Sequence, residues 1–172
     1  MKTRLFELSP DELTRSTVAG FPNTKARQHL VGSVSIGNVK YTPYVKNFTL
    51  RIDATANSNG HTYQPTILVK GVFYDKDDSQ DVVAIKSTNG EDYYIYPIHV
   101  AEPDAETRCT CLDFYWRFAN TNNANDSLYG KPPPPYRKKT NRPPVNPQGV
   151  PGMCKHLLKL VDVLKQTRVA TG

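Results

Sequence analysis

A chain of 172 residues with 38% hydrophobic and 22% charged residues has a globular make-up, large enough for one core or for a core and a small module. Those values exclude disordered and fibrous classes, and no run approaches the eighteen or so apolar residues of a membrane span. The formal charge of +6 permits contact with nucleic acid or acidic surfaces without demanding it.

The opening "MKTRLFELSPDEL" has a basic start but no apolar h-region. It does not read as a secretion signal, so a reducing cytoplasm is the expected place of synthesis. Three cysteines cannot all pair as disulfides, and such a compartment would not pair them. "LSPDELTRSTVAGFP" then predicts a short helix. Ser9 can cap it, Pro10 suits its first turn, Glu12 completes a capping box, and Gly20 with Pro22 stops it.

From Gln28 to Val100 the pattern is that of strands. "VSIGNVKY" predicts a Gly37-Asn38 turn between alternating segments. "NFTLRIDA" alternates Phe48, Leu50, Ile52 and Ala54 with polar neighbours, and the more continuous run "PTILVKGVFYD" predicts a central strand. "DVVAIKSTNGEDYYIYPIHV" predicts a hairpin through a type I′ turn at Asn89-Gly90, with Tyr93, Tyr94 and Tyr96 packing the sheet. "DFYWRF" alternates Phe114, Trp116 and Phe118 with Tyr115 and Arg117, as a strand with one buried face would. "ANTNNANDSLYG" is turn-prone, and "KPPPPYRKKTNRPPVNPQGVP" is proline-rich enough to be extended and polyproline-like. Finally Met153, Leu157, Leu160, Val161 and Leu164 form one apolar stripe of a C-terminal helix.

The expected fold is α+β: an antiparallel β-rich domain with an N-terminal helix and a C-terminal helix tethered by a metal. The expected divisions are an N-terminal helix and linker over 1–22, an antiparallel β domain over 23–104, and a metal-binding module over 105–172. An Asn- and Pro-rich basic loop is inserted in that module at about 119–150.

All three cysteines fall in two x-spaced pairs, Cys109-x-Cys111 and Cys154-x-His156. Three Cys and one His make a standard closed set for structural zinc, and an iron-sulfur cluster is the alternative. Residues two apart share a face of a strand, so Cys109 and Cys111 can point at one ion. Positions two apart in a helix diverge, so Cys154 must sit at the helix entrance with His156 just inside. Pro151 and Gly152 supply that entrance, and a helix N-terminus favours the thiolate.

"CTCLDF" and "CKHLLKLV" resemble the SWIM zinc-binding motif, a C-x-C, a spacer and a C-x-H opening an apolar helix. The resemblance covers Cys109, Cys111, Cys154, His156, Phe114 and the helix after His156. The spacer, residues 112–153, is longer than that motif's usual one. The phrasing of "C-x-C-x-D-F" and "P-G-x-C-K-H-L" around a loop with "RPPVNPQGVPG" also resembles structural proteins of tailed-phage virions.

The loop cations Lys131, Arg137, Lys138, Lys139 and Arg142, with Tyr136 among them, form the candidate partner-binding segment. One reading is phosphate contact with Tyr136 stacking on a base; the other is a solvated or protein-docking arm. His29, His61 and His99 are isolated, and no hydrolase, P-loop or dinucleotide motif is present. A metal with four protein ligands leaves no open position for substrate. The expectation is a non-enzymatic assembly protein of a phage tail, baseplate or neck, located in the virion, docking on other virion proteins and taking no small-molecule substrate. The alternative is a cytoplasmic SWIM-like module binding nucleic acid or protein through the basic loop.

Overall fold

The computed structural model describes residues 9–21, 33–101, 104–135, 141 and 144–172. Ser9 accepts a hydrogen bond from the Glu12 N–H at 3.2 Å, and helix α1 runs over Pro10–Gly20 with Pro10 in its first turn. Its buried Leu13 and the following Phe21 enter the core. The strands are β1 (Val34–Tyr44), β2 (Thr49–Ser58), β3 (His61–Tyr63), β4 (Thr66–Lys70), β5 (Tyr74–Asp75), β6 (Val83–Lys86), β7 (Asp92–Ile95), β8 (Ile98–His99) and β9 (Ala105–Arg108). The chain then turns helical in α2 (Leu112–Phe114), a π-helical turn (Tyr115–Ala119) and α3 (Asn120–Ala124). After the Pro-rich segment come α4 (Lys155–Gln166) and β10 (Ala170–Thr171).

The fold is α+β and mostly antiparallel. The main sheet has the order β1-β2-β4-β9 with β3 beside β2, and a smaller sheet has the order β5-β7-β6. The two-residue strand β10 pairs with β8 in parallel, bringing the chain end back to the domain. Alternation places Leu50, Ile52, Ala54 and Ala56 of β2 on the buried face, beside Ile67 and Val69 of β4. Leu157, Leu160, Val161 and Leu164 of α4 close over them in the same core cluster. At about 25 cal/mol per Å² of apolar surface, each fully buried Leu or Ile contributes roughly 2 kcal/mol.

Several local readings of the sequence are corrected. Gly37-Asn38 is not a turn, because β1 continues through it. Asn38 and Val39 lie opposite Ala54 alone, in a β-bulge with Asn38 at φ 51°. Asn89-Gly90 closes the β6–β7 hairpin, but not as type I′: only Gly90 is left-handed (φ 87°), in a three-residue loop bracketed by Ser87 and Glu91. The central strand ends at Lys70, where Gly71 turns the chain at φ 83°, and Phe48 occupies an exposed left-handed position rather than the buried stripe. "DFYWRF" is helical. Cys111 caps it by accepting the Phe114 N–H at 3.3 Å, and Phe114 and Phe118, four apart, share the buried face while Trp116 is 54% exposed. The Asn-rich stretch likewise begins as helix, through Ala124.

The approach to α4 is held by polar side chains of other elements. Fully buried Asn122 accepts from the Gly152 N–H at 3.0 Å and donates to the Gly152 carbonyl at 2.8 Å, as a neighbouring strand would. The Met153 N–H donates to Thr17 Oγ1 at 2.9 Å. Asn146 accepts from the Val150 N–H at 2.9 Å and donates to the Val150 and Arg117 carbonyls, both at 2.8 Å. A Cβ at position 152 would stand 2.6 Å from the Phe118 ring and strike Thr17 Oγ1, so only glycine fits. Asn122→Ala strands both Gly152 backbone groups, and a loss of about 3 kcal/mol is expected in chemical denaturation, since each unsatisfied buried group costs roughly 1–3 kcal/mol. An unchanged midpoint would contradict this account of the entrance.

Candidate metal centre

Each half of the site sits where an extended segment meets a helix. Strand β9 ends at Arg108, so Cys109 and Cys111 lie just past it rather than within it, but the backbone at Cys111 is still extended (φ −74°, ψ 153°). Both thiols therefore stay on the buried side. Cys154 is the N-cap of α4, also extended (φ −72°, ψ 169°), and His156 is the second residue inside the helix. That break between cap and first turn lets two side chains two apart converge, which a regular helix forbids.

The structure brings Cys109, Cys111, Cys154 and His156 together. One donor atom from each lies within 4.8 Å of the others, and all four residues are buried. Nδ1 of His156 is 3.7 Å from the sulfurs of both Cys109 and Cys154. A tetrahedral zinc with Zn–S of about 2.3 Å and Zn–N of about 2.0 Å separates sulfur from nitrogen by roughly 3.5 Å. The donor set could hold a metal ion, and zinc suits its thiolate and imidazole chemistry.

The electrostatics favour a cation. Cys111 is held well below the usual thiol range, first by the hydrogen bond from Cys109 and then by that from Cys154, with the Phe114 N–H also donating to it. Cys109 is pushed up to about 12, chiefly because it donates to Cys111. Burial drives Cys154 far above its ordinary value, and the other two sulfurs add to the rise. One thiolate is tolerated in this space; a second and third need a positive charge between them. Cys111 and Cys154 both stand at the N-cap position of a helical segment, and the first of them accepts the Phe114 N–H.

The ring of Tyr63 covers His156, with centroids 4.4 Å apart, and seals the site from the β3 side. His156 Nε2 is buried with no hydrogen-bond partner among the described residues. The imidazole is thus fixed by packing on one side and has the sulfurs on the other. Sequence reasoning missed Tyr63, Asn122, Thr17 and Asn146, whose roles depend on contacts across the chain and carry no local motif. His61 and His99 are exposed on β3 and β8 and take no part in the cluster; His29 lies outside the described residues. Of the candidate partner-binding residues, Tyr136, Arg137, Lys138, Lys139 and Arg142 also lie outside them, whereas Lys131 is exposed.

No family model, curated protein or solved structure matches the chain.

A metal ion binding to this set would displace thiol protons, because burial and the neighbouring sulfurs hold Cys109 and Cys154 above the ordinary thiol range. Apparent zinc affinity should therefore rise with pH and fall on acidification, with proton release on binding. Isothermal titration with zinc in buffers of different ionisation enthalpy measures that release. A heat independent of buffer and an affinity flat between pH 6 and 8 would contradict the assignment.

Proposed function

We propose that Cys109, Cys111, Cys154 and His156 hold one zinc ion as a closed structural clasp, and that the protein is a non-enzymatic assembly component docking on neighbouring subunits. The observation that carries the reading is the convergence of four buried donors, remote in sequence, on a space the size of one ion. Zinc supplies positive charge and fixed tetrahedral bonds there, and no redox chemistry. Four protein ligands leave it no position for water or substrate, which speaks against catalysis. A single ion is favoured over an iron-sulfur cluster by the tightness of the set, because a cluster divides its ligands between separate irons and spreads them further apart.

Docking is supported by what lies outside the clasp. Leu112, Tyr115 and Trp116 are exposed on the helical run that begins at Cys111, and aromatic groups of this kind are enriched in protein interfaces. The Pro-rich segment loses little entropy on binding and suits a protein partner. No helix among the described residues is long and apolar enough to cross a membrane. Placement in a phage virion, in the tail, baseplate or neck, rests on the likeness of the cysteine motifs to virion structural proteins.

A strong chelator should lower the thermal midpoint by more than ten degrees and zinc should restore it, since structural zinc contributes on the order of 10 kcal/mol in small zinc-binding peptides. Cys154→Ser should behave like the chelated protein. A midpoint indifferent to chelation removes the clasp. The virion placement is tested apart from it: the native protein should co-sediment with assembled particles, and recovery only in the free fraction rejects that placement.

A further inference from the structure

The geometry points to a second site, on the sheet face turned away from the core: a groove that binds the phosphate backbone of a single-stranded nucleic acid. Register builds it. Lys40 of β1 lies opposite Asp53 of β2, Asp53 opposite Thr66 of β4, and Thr66 opposite Arg108 of β9. One row across four strands thus reads cation, carboxylate, hydroxyl, cation, and all four residues line a groove of about 600 Å³. The bulge at Asn38 and Val39 immediately precedes Lys40 and sets it in register with Asp53.

The charges in this row are not cancelled. Asp53, the only acid among the described residues that line the groove, is engaged by Arg51 Nε at 2.8 Å and by the Thr66 hydroxyl at 2.7 Å. Arg51 is thereby spent, and its Nη1 also donates to the Tyr129 hydroxyl at 3.2 Å. Arg108 is positioned differently. Its Nη1 donates to the carbonyls of Tyr129 and Lys131, at 2.7 and 2.8 Å, which hold the guanidinium in place without neutralising it. Gly130, between those carbonyls, is at φ 83°, and a Cβ there would lie 3.1 Å from Arg108 Nη1. Lys40 forms no ion pair among the described residues.

Three strand spacings separate the Lys40 and Arg108 backbones by about 14 Å. Arg108 is tied at the far side and cannot swing toward Lys40, so a ligand that satisfies both must carry at least two anionic groups along its length. The lining also holds the neutral hydrogen-bonding side chains of Thr55, Gln64, Thr88 and Thr110, which can meet sugars and base edges between the two cations. The groove also adjoins Lys131, whose carbonyl accepts from Arg108, and in the sequence Arg137, Lys138, Lys139 and Arg142 follow. None of this depends on the metal.

The test is binding of a fluorescent oligothymidylate to the full zinc-loaded chain across a salt series, for the wild type, Lys40→Gln, and Lys40→Gln with Arg108→Gln. Zinc content and far-UV circular dichroism verify the fold, and Lys40→Gln, at an exposed position, is the variant that must leave it intact. Affinity should fall with salt, and Lys40→Gln should reduce the slope of log K against log salt by about 0.7, the contribution of one phosphate contact in a single strand. Absence of binding at low salt overturns the proposal. So does wild-type behaviour of Lys40→Gln, which would move binding to the Pro-rich segment. Equal competition by polyglutamate, or by inorganic phosphate at the same phosphate concentration, also overturns it, in favour of an acidic peptide or a single-anion site.

Discussion

Three thiols and an imidazole share one buried space, and that crowding is the constraint on which the rest of the molecule is arranged. Sulfur atoms this close, away from water, cannot all ionise without a cation, and as neutral thiols they form a poorly satisfied polar cluster. The chain makes the space on purpose: two extended segments each end in a cysteine that caps a helix, so the donors and the helix N-termini converge. The imidazole is pressed into position by Tyr63 from a third element. Segments leading from the sheet, the helical run and the C-terminal helix meet there.

Around this point the polar side chains do work that a longer sheet would do elsewhere. The segment leading to α4 has no strand partner among the described residues, and Asn122, Asn146 and Thr17 supply hydrogen bonds to it. Gly152 permits the close approach they need. Two hydroxyls of α1 join the N-terminal helix to the metal segment: Thr17 accepts from the Met153 N–H, and Ser16 donates to the Pro151 carbonyl at 2.6 Å. Arg117 extends the same connection, pairing with Asp113 at 2.7 Å while its guanidinium lies 4.9 Å from the centre of the Phe21 ring. The main sheet is therefore free to use its two faces differently, one for the core and one for the charged row from Lys40 to Arg108.

The sequence made some of this legible and hid the rest for identifiable reasons. The four donors could be read because few residue types bind soft metals, and their x-spacing restricts the geometry. The start of α1 was readable for a similar reason, since Ser9, Pro10 and Glu12 each fill a known role at a helix entrance. "DFYWRF" misled because Phe114, Trp116 and Phe118 alternate while Phe114 and Phe118 also stand four apart. A thiol acting as the cap chose the helix, and cysteine is not an ordinary capping signal. Gly37-Asn38 reads as a turn, but a left-handed residue such as Asn38 serves a bulge as well as a reversal, and only pairing with β2 decides. The charged row was invisible because Lys40, Asp53, Thr66 and Arg108 become neighbours only through strand register.

X-ray absorption at the zinc edge, on protein purified without added metal and quantified per chain, is the decisive measurement. The account predicts one zinc per chain, with three sulfur neighbours at about 2.3 Å and one nitrogen at about 2.0 Å. Absence of stoichiometric zinc, or a shell in which an oxygen replaces one of the four donors, would contradict the clasp.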